Sequence, residues 1–130
     1  MIFLDTSLFY ALADKKDTHH TRAKRMFKDL LEKREEWCTH NYIIVETSAL
    51  IHRRLGFDPA KRFLQESLLF PLVWIDESMH SEAAEYFSRR TRQNISFVDC
   101  MSFLLMKQRG ITTALAFDAD FSKEGFRVIA

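Results

Sequence analysis

IFLDTS, residues 2–7, runs apolar for three residues and then meets a carboxylate, Asp5, with two hydroxyls behind it, Thr6 and Ser7. Ile2, Phe3 and Leu4 read as a buried strand. The pattern returns late in the chain, where Ala114-Leu115-Ala116-Phe117 runs apolar into Asp118. An Asp at a strand end can simply cap the next helix. Two of them in a parallel sheet also stand where ligands gather, outside the carboxyl ends of strands.

Outward from these strands the periodicity alternates. The spacing predicts a helix from Thr6 to about Ala13 and a polar break over 15–18. An amphipathic helix follows, carried by Ala23, Met26, Phe27, Leu30 and Leu31 at i, i+3, i+4, i+7 and i+8. A short strand is expected over 36–40, then a helix over 41–55 closed by Gly56. Asp58-Pro59 opens the next helix, with Phe63, Leu64, Leu68 and Leu69 facing inward. LVWI, residues 72–75, reads as a strand, and 78–90 as a helix with Ala83, Ala84 and Phe87 as its inner stripe. A helix runs from Ser96 through Arg109 to Gly110, and strands follow over 113–117 and 126–129. No two-residue hairpin joins any pair of strands. The class is therefore α/β, with a mostly parallel sheet covered on both faces.

Composition narrows the function. The 130 residues suit one domain over 1–130, and twelve Phe point to a dense interior and to a possible partner surface at Phe57, Phe63 or Phe70. A net charge of +1 gives no global basic field for nucleic acid, although Lys and Arg cluster locally, as at Arg53-Arg54 and Arg89-Arg90. Three glycines leave no Gly-rich loop for a nucleotide. The five His show no metal-ligand spacing, and Cys38 and Cys100 suit small core residues in a reducing compartment. No secretory leader or membrane span is read, so a cytoplasmic protein is expected.

The acids carry the chemistry. Glu46 lies in YIIVETSALIH, residues 42–52, where its helical neighbours Tyr42, Ile43, Ala49 and Leu50 offer no cation. A carboxylate on that face needs a cation from elsewhere, a raised pKa or a metal. Asp99 sits three residues after Ser96, which fits a capping box, yet it too lacks a cationic neighbour. Asp118 and Asp120 frame FDADF, residues 117–121; a pair so spaced can turn the chain or present oxygens to one ion. Converging carboxylates repel each other unless a divalent cation neutralises them. An all-oxygen set selects Mg²⁺ or Mn²⁺ over zinc.

LDTS at 4–7, HNYIIVET at 40–47, SFVDC at 96–100 and FDADF at 117–121, in that order, resemble the PIN domain, a Mg²⁺-dependent ribonuclease family, and especially its VapC-like toxin branch. The resemblance covers essentially the whole chain. It implies a three-layer α/β/α sandwich and an acidic quartet of Asp5, Glu46, Asp99 and Asp118 holding the metal. Asp120 would be an auxiliary acid, Thr6 or Ser7 a hydroxyl near Asp5, and Asn41 a polar position before Glu46. It further implies cleavage of tRNA, rRNA or mRNA, a homodimer, and silencing by a small antitoxin that enters the acidic groove. Ala116 departs from the pattern, which commonly has Ser or Thr two residues before the fourth acid.

A catalytically silent PIN-like module that binds RNA or protein is the alternative. A phospho-acceptor receiver or a metal-dependent adhesion module fits less well, because only one acid follows the first strand and residue 9 of the adhesion pattern is Phe.

Overall fold

A computed structural model describes residues 1–129 of the chain. Five strands and seven helices alternate among them. The strands are β1 (Ile2–Leu4), β2 (Trp37–His40), β3 (Leu72–Val73), β4 (Thr113–Leu115) and β5 (Arg127–Ile129). The helices are α1 (Thr6–Ala13), α2 (His20–Glu32), α3 (Asn41–Leu55), α4 (Phe57–Ser67), α5 (Glu77–Ser88), α6 (Phe97–Arg109) and α7 (Asp120–Lys123).

Every strand pair is parallel, in the order β3-β2-β1-β4-β5. The chain winds from β1 outward to β3, then returns to place β4 on the other side of β1. Right-handed crossovers in opposite directions put helices on both faces. Accordingly α1 packs on α2 and α3, α3 on α4, and α5 on α6. This is the expected three-layer α/β/α sandwich, and its switch point lies between β1 and β4. Leu4 pairs with Leu115, and the Asp5 N–H continues the ladder to the Leu115 carbonyl at 3.2 Å. The carboxyl ends of the two central strands are thereby level.

Phe3, Leu4, Leu8, Ile43, Phe103, Leu115 and Phe121 are fully buried around this sheet. Cys38 and Cys100 are free and buried among them, and burial raises both thiols. His40 closes β2 and caps α3: its Nδ1 accepts from the Ile43 N–H at 3.3 Å. Burial holds it near a pKa of about 3, so it is neutral. With Nδ1 accepting, Nε2 carries the proton and donates to Ser102 Oγ at 2.9 Å. Ser102 in turn donates to the Val98 carbonyl. One imidazole thus braces α3 against α6, the helices that carry Glu46 and Asp99.

Several expectations of inward-facing residues fail. Leu64, Leu68 and Leu69 are exposed, at 45%, 83% and 89%, and of that stripe only Phe63 reaches the core. Leu31 and Phe87 are exposed as well, and so is Ala84. In α5 the inner row is Met79, Ala83 and Tyr86, one helical step from the expected one. Periodicity finds an apolar face but does not say whether the same chain covers it. Helix α4 begins at Phe57 rather than at Asp58-Pro59, and β3 and β4 stop two residues early because their last residues turn away from the ladder. Helix α7 was not expected as a separate element. Of the Phe residues considered for a partner surface, Phe57 is exposed, while Phe63 and Phe70 pack with Phe9 and Trp37. Among the described residues, no helix is long and apolar enough to cross a membrane.

Candidate metal centre and nucleic-acid cleft

Asp5 serves two ends at once. Leaving β1 in an extended conformation, it caps α1 through Oδ2, which accepts from the Ser7 N–H at 3.1 Å and the Ser7 hydroxyl at 2.8 Å. Asp5 is only 3% exposed. The Ser7 hydroxyl also accepts from the Phe117 N–H at 3.0 Å, which ties the end of β4 to Asp5. Ser7 is therefore the hydroxyl beside Asp5. Thr6 instead donates to Glu46 Oε1, and Thr47 donates to Thr6 Oγ1 at 3.3 Å, so α1 fixes the orientation of the acid on α3.

Asp99 stands in the first turn of α6. The Ser96 hydroxyl accepts its N–H at 3.0 Å, so the sequence pattern S-x-x-D does form a cap. Asp118 follows β4, and its Oδ1 accepts from the Asp120 N–H at 3.0 Å.

Asp5, Glu46, Asp99 and Asp118 line one cleft of about 530 Å³, together with Thr6, Ser7, Tyr10, Asp17, His19, Arg53, Arg54 and Phe117. None of the four takes part in an ion pair among the described residues. Asp120 differs: it accepts from Arg92 Nη2 at 3.0 Å and does not line the cleft. Asn41 lies away from it too, its Oδ1 holding the Ile75 N–H at 2.6 Å. Arg89 pairs with Glu85 on the surface of α5.

Asp5, Asp99 and Asp118 all titrate above the ordinary carboxylate range. Burial pushes Asp5 up to about 7, and the charges of Asp118 and Asp99 add to it. Asp99 rises to about 6, through burial first and then the charges of Asp118 and Glu46. Asp118 is raised by desolvation, against the opposing Asp120 N–H. Where a cation does meet an acid in this chain the sign reverses. Arg90 grips Glu124 with two hydrogen bonds of 2.8 and 2.7 Å and holds it near 2.

Among the described residues, no three His, Cys, Asp or Glu side chains are arranged closely enough to grip one ion as they stand. The donor set nevertheless fits a divalent cation in kind: it is all oxygen and free of ion pairs, and Asp5, Asp99 and Asp118 are raised first by burial, with neighbouring carboxylates adding to it.

Two features of the cleft were not read from the sequence. Tyr10 donates to Asp14 at 2.7 Å while Arg54 lies 5.2 Å over its ring, which holds a guanidinium at the cleft wall. His19 stacks on Phe117 with ring centroids 4.4 Å apart. Both depend on contacts between separate elements, and no local pattern announces them.

Comparison with known proteins agrees with this fold. A family model described as the PIN domain matches residues 2–126. The 23S rRNA-specific endonuclease VapC20 of Mycobacterium tuberculosis, in two strains, is 35% identical over 128 residues, 97% of this chain and 95% of the relative. The crystal structure of M. tuberculosis VapC20, a sarcin–ricin loop cleaving toxin, superposes with a TM-score of 0.87 at 34% identity, covering 97% of this chain and 96% of that one.

Proposed function

Because the chain belongs to the PIN-domain family, in its branch of VapC-like endonucleases, we propose that it is the toxin of a toxin–antitoxin pair and hydrolyses RNA phosphodiester bonds with Mg²⁺ or Mn²⁺. Asp5, Glu46, Asp99 and Asp118 would hold the ion. The observation that carries this reading is the cleft itself, which four carboxylates without an ion-pair partner line at the carboxyl ends of β1 and β4. When bound, the ion supplies Lewis-acid polarisation of the phosphate and neutralises charge that the acids alone would turn against RNA.

The remaining work falls to the chain's own groups. Ser7 and Thr6 hold Asp5 and Glu46 in fixed orientations, so that little reorganisation accompanies the reaction. In hydrolysis the oxygen of a water bonds to phosphorus, one P–O ester bond breaks, and the proton lost by the water ends on the leaving oxygen. In this reading a carboxylate of Asp5 or Asp99 accepts that proton in passing. Arg53 and Arg54, on the same cleft, suit the flanking phosphates, whereas Arg89 is turned to Glu85. Asp120 joins the ligand set only if Arg92 releases it.

The substrate in this reading is a loop of large-subunit rRNA, because the relative that matches almost the whole chain carries 23S rRNA specificity in its name. A homodimer and a small antitoxin belong to the same reading. The α3–α4 face supports a protein contact, since it leaves Val45, Leu64, Leu68 and Trp74 exposed around one groove.

Incubation of the full chain with Mg²⁺ and three RNAs tests the substrate: a hairpin of the 23S sarcin–ricin loop, a tRNA pool and an unstructured mRNA. The hairpin is expected to be cut at one position and the others to survive. Cutting confined to tRNA or mRNA would leave a nuclease with a different target, and binding without cutting of any would favour the silent module.

A further inference from the structure

The acid cleft also contains a stacked pair of rings that holding a metal does not require. His19 and Phe117 both line it, with their planes within 5° of parallel and their centroids 4.4 Å apart. Arg22 adds a guanidinium, its Cζ 5.7 Å from the centre of the Phe117 ring. Both rings are half-buried, so core packing takes up only part of them. His19 occupies the N-cap position of α2, yet its side chain makes no capping bond; its backbone N–H is held by Asp17 at 2.8 Å.

The stack is fixed with respect to the acids. The Phe117 N–H donates to Ser7 Oγ at 3.0 Å, and Ser7 Oγ donates to Asp5 at 2.8 Å. Asp118 is the next residue, its Cα about 3.8 Å further along the chain. A preset planar surface therefore stands beside the place a phosphate would occupy. Unpaired bases stack on such surfaces whatever their identity, and an adjacent guanidinium strengthens the contact.

The geometry points to the His19–Phe117 stack, flanked by Arg22, as the platform that receives one nucleobase next to the scissile phosphate. The inference rests on the reading of the cleft as an RNA-cutting site. It makes Phe117 a specificity-determining residue: the stack selects a nucleotide that is splayed out, and a base locked in a duplex does not reach it.

The test uses the full chain, Mg²⁺ and the rRNA hairpin, or whichever RNA the assay above shows to be cut. Wild type, Phe117→Leu, Phe117→Tyr and His19→Ala are compared on the intact RNA. They are then compared on versions that lack the base on one side of the mapped cut or the other. Phe117→Leu is expected to raise KM about tenfold, with kcat and melting temperature little changed, and Phe117→Tyr to keep the wild-type value. Removing the stacked base should raise the wild-type KM by a similar factor and leave Phe117→Leu unaffected, because one contact cannot be lost twice. Wild-type KM in both Phe117→Leu and His19→Ala would overturn the platform, as would fully additive losses in the base-free series. If the ring variants match a wild type that cuts, only the platform fails. A wild type that neither cuts nor binds any of the RNAs overturns the nuclease reading and the platform together.

Discussion

Asp5→Asn is expected to lower RNA cleavage by roughly 100-fold or more, the scale for losing one electrostatic stabiliser of a charged transition state. The same change should make the metal-free protein more stable. The Asn side-chain oxygen can still accept from the Ser7 N–H and hydroxyl, so the start of α1 keeps its cap. What disappears is a carboxylate that is 3% exposed and faces Asp99 and Asp118 without a cation. Near pH 8 that relief is on the order of 2–4 kcal/mol, which a melting curve reads as a rise of several degrees. Opposite signs for activity and stability separate a site acid from a structural one. A variant that loses both would place Asp5 in the scaffold instead.

The second large effect is a pH dependence that a metal reverses. Asp5 and Asp99 titrate near 7 and 6 in the fold, above the ordinary carboxylate range. Between about pH 4 and pH 7 the folded chain therefore holds protons that the unfolded chain has released. Stability is full below that window and falls as pH rises through it. For Asp5, a move from an ordinary value of 3.8 to about 7 amounts to roughly 4 kcal/mol at about 1.4 per pH unit. Mg²⁺ at about 100 times its dissociation constant would return about 2.7 kcal/mol near pH 8. Near pH 5, where both acids are protonated, it should return almost nothing. Melting temperatures at about pH 5 and 8, with Mg²⁺ and with EDTA, check both halves. A metal-free protein that gains stability from pH 5 to 8, or a Mg²⁺ effect equal at the two values, would contradict the ionisation scheme.

The extent to which the sequence revealed this site follows from how local each signal is. Helix α3 was legible to the residue because Asn41 and Gly56 punctuate it, and Glu46 stood out because no residue one turn away could neutralise it. Asp5 and Asp118 were legible because an apolar run ending on an acid is a one-dimensional pattern. The exposure of Leu64 was not, since a helix face bare of partners has the same periodicity as one facing the core, and α4 ends at Ser67, which leaves Leu68 and Leu69 in the exposed turn beyond it. Nor was the pairing of Asp120 with Arg92, which joins positions 28 residues apart and removes from the cleft an acid that local sequence places beside it. Ala116 illustrates the converse. Its missing hydroxyl looked like a gap near the fourth acid, whereas Ser7 reaches across to bond the next backbone N–H and Asp5 together.

The most direct test of the central claim is cleavage of the rRNA hairpin by wild type and Asp99→Asn, each with Mg²⁺ and with EDTA. Asp99 is chosen because the Ser96 cap uses its backbone N–H, which Asn retains. A single cut that requires Mg²⁺ and falls at least 100-fold in the variant is the result expected of a metal held by these acids. Cutting of equal rate and position by both proteins, or cutting that persists in EDTA, would show that the four carboxylates do not form the reaction centre.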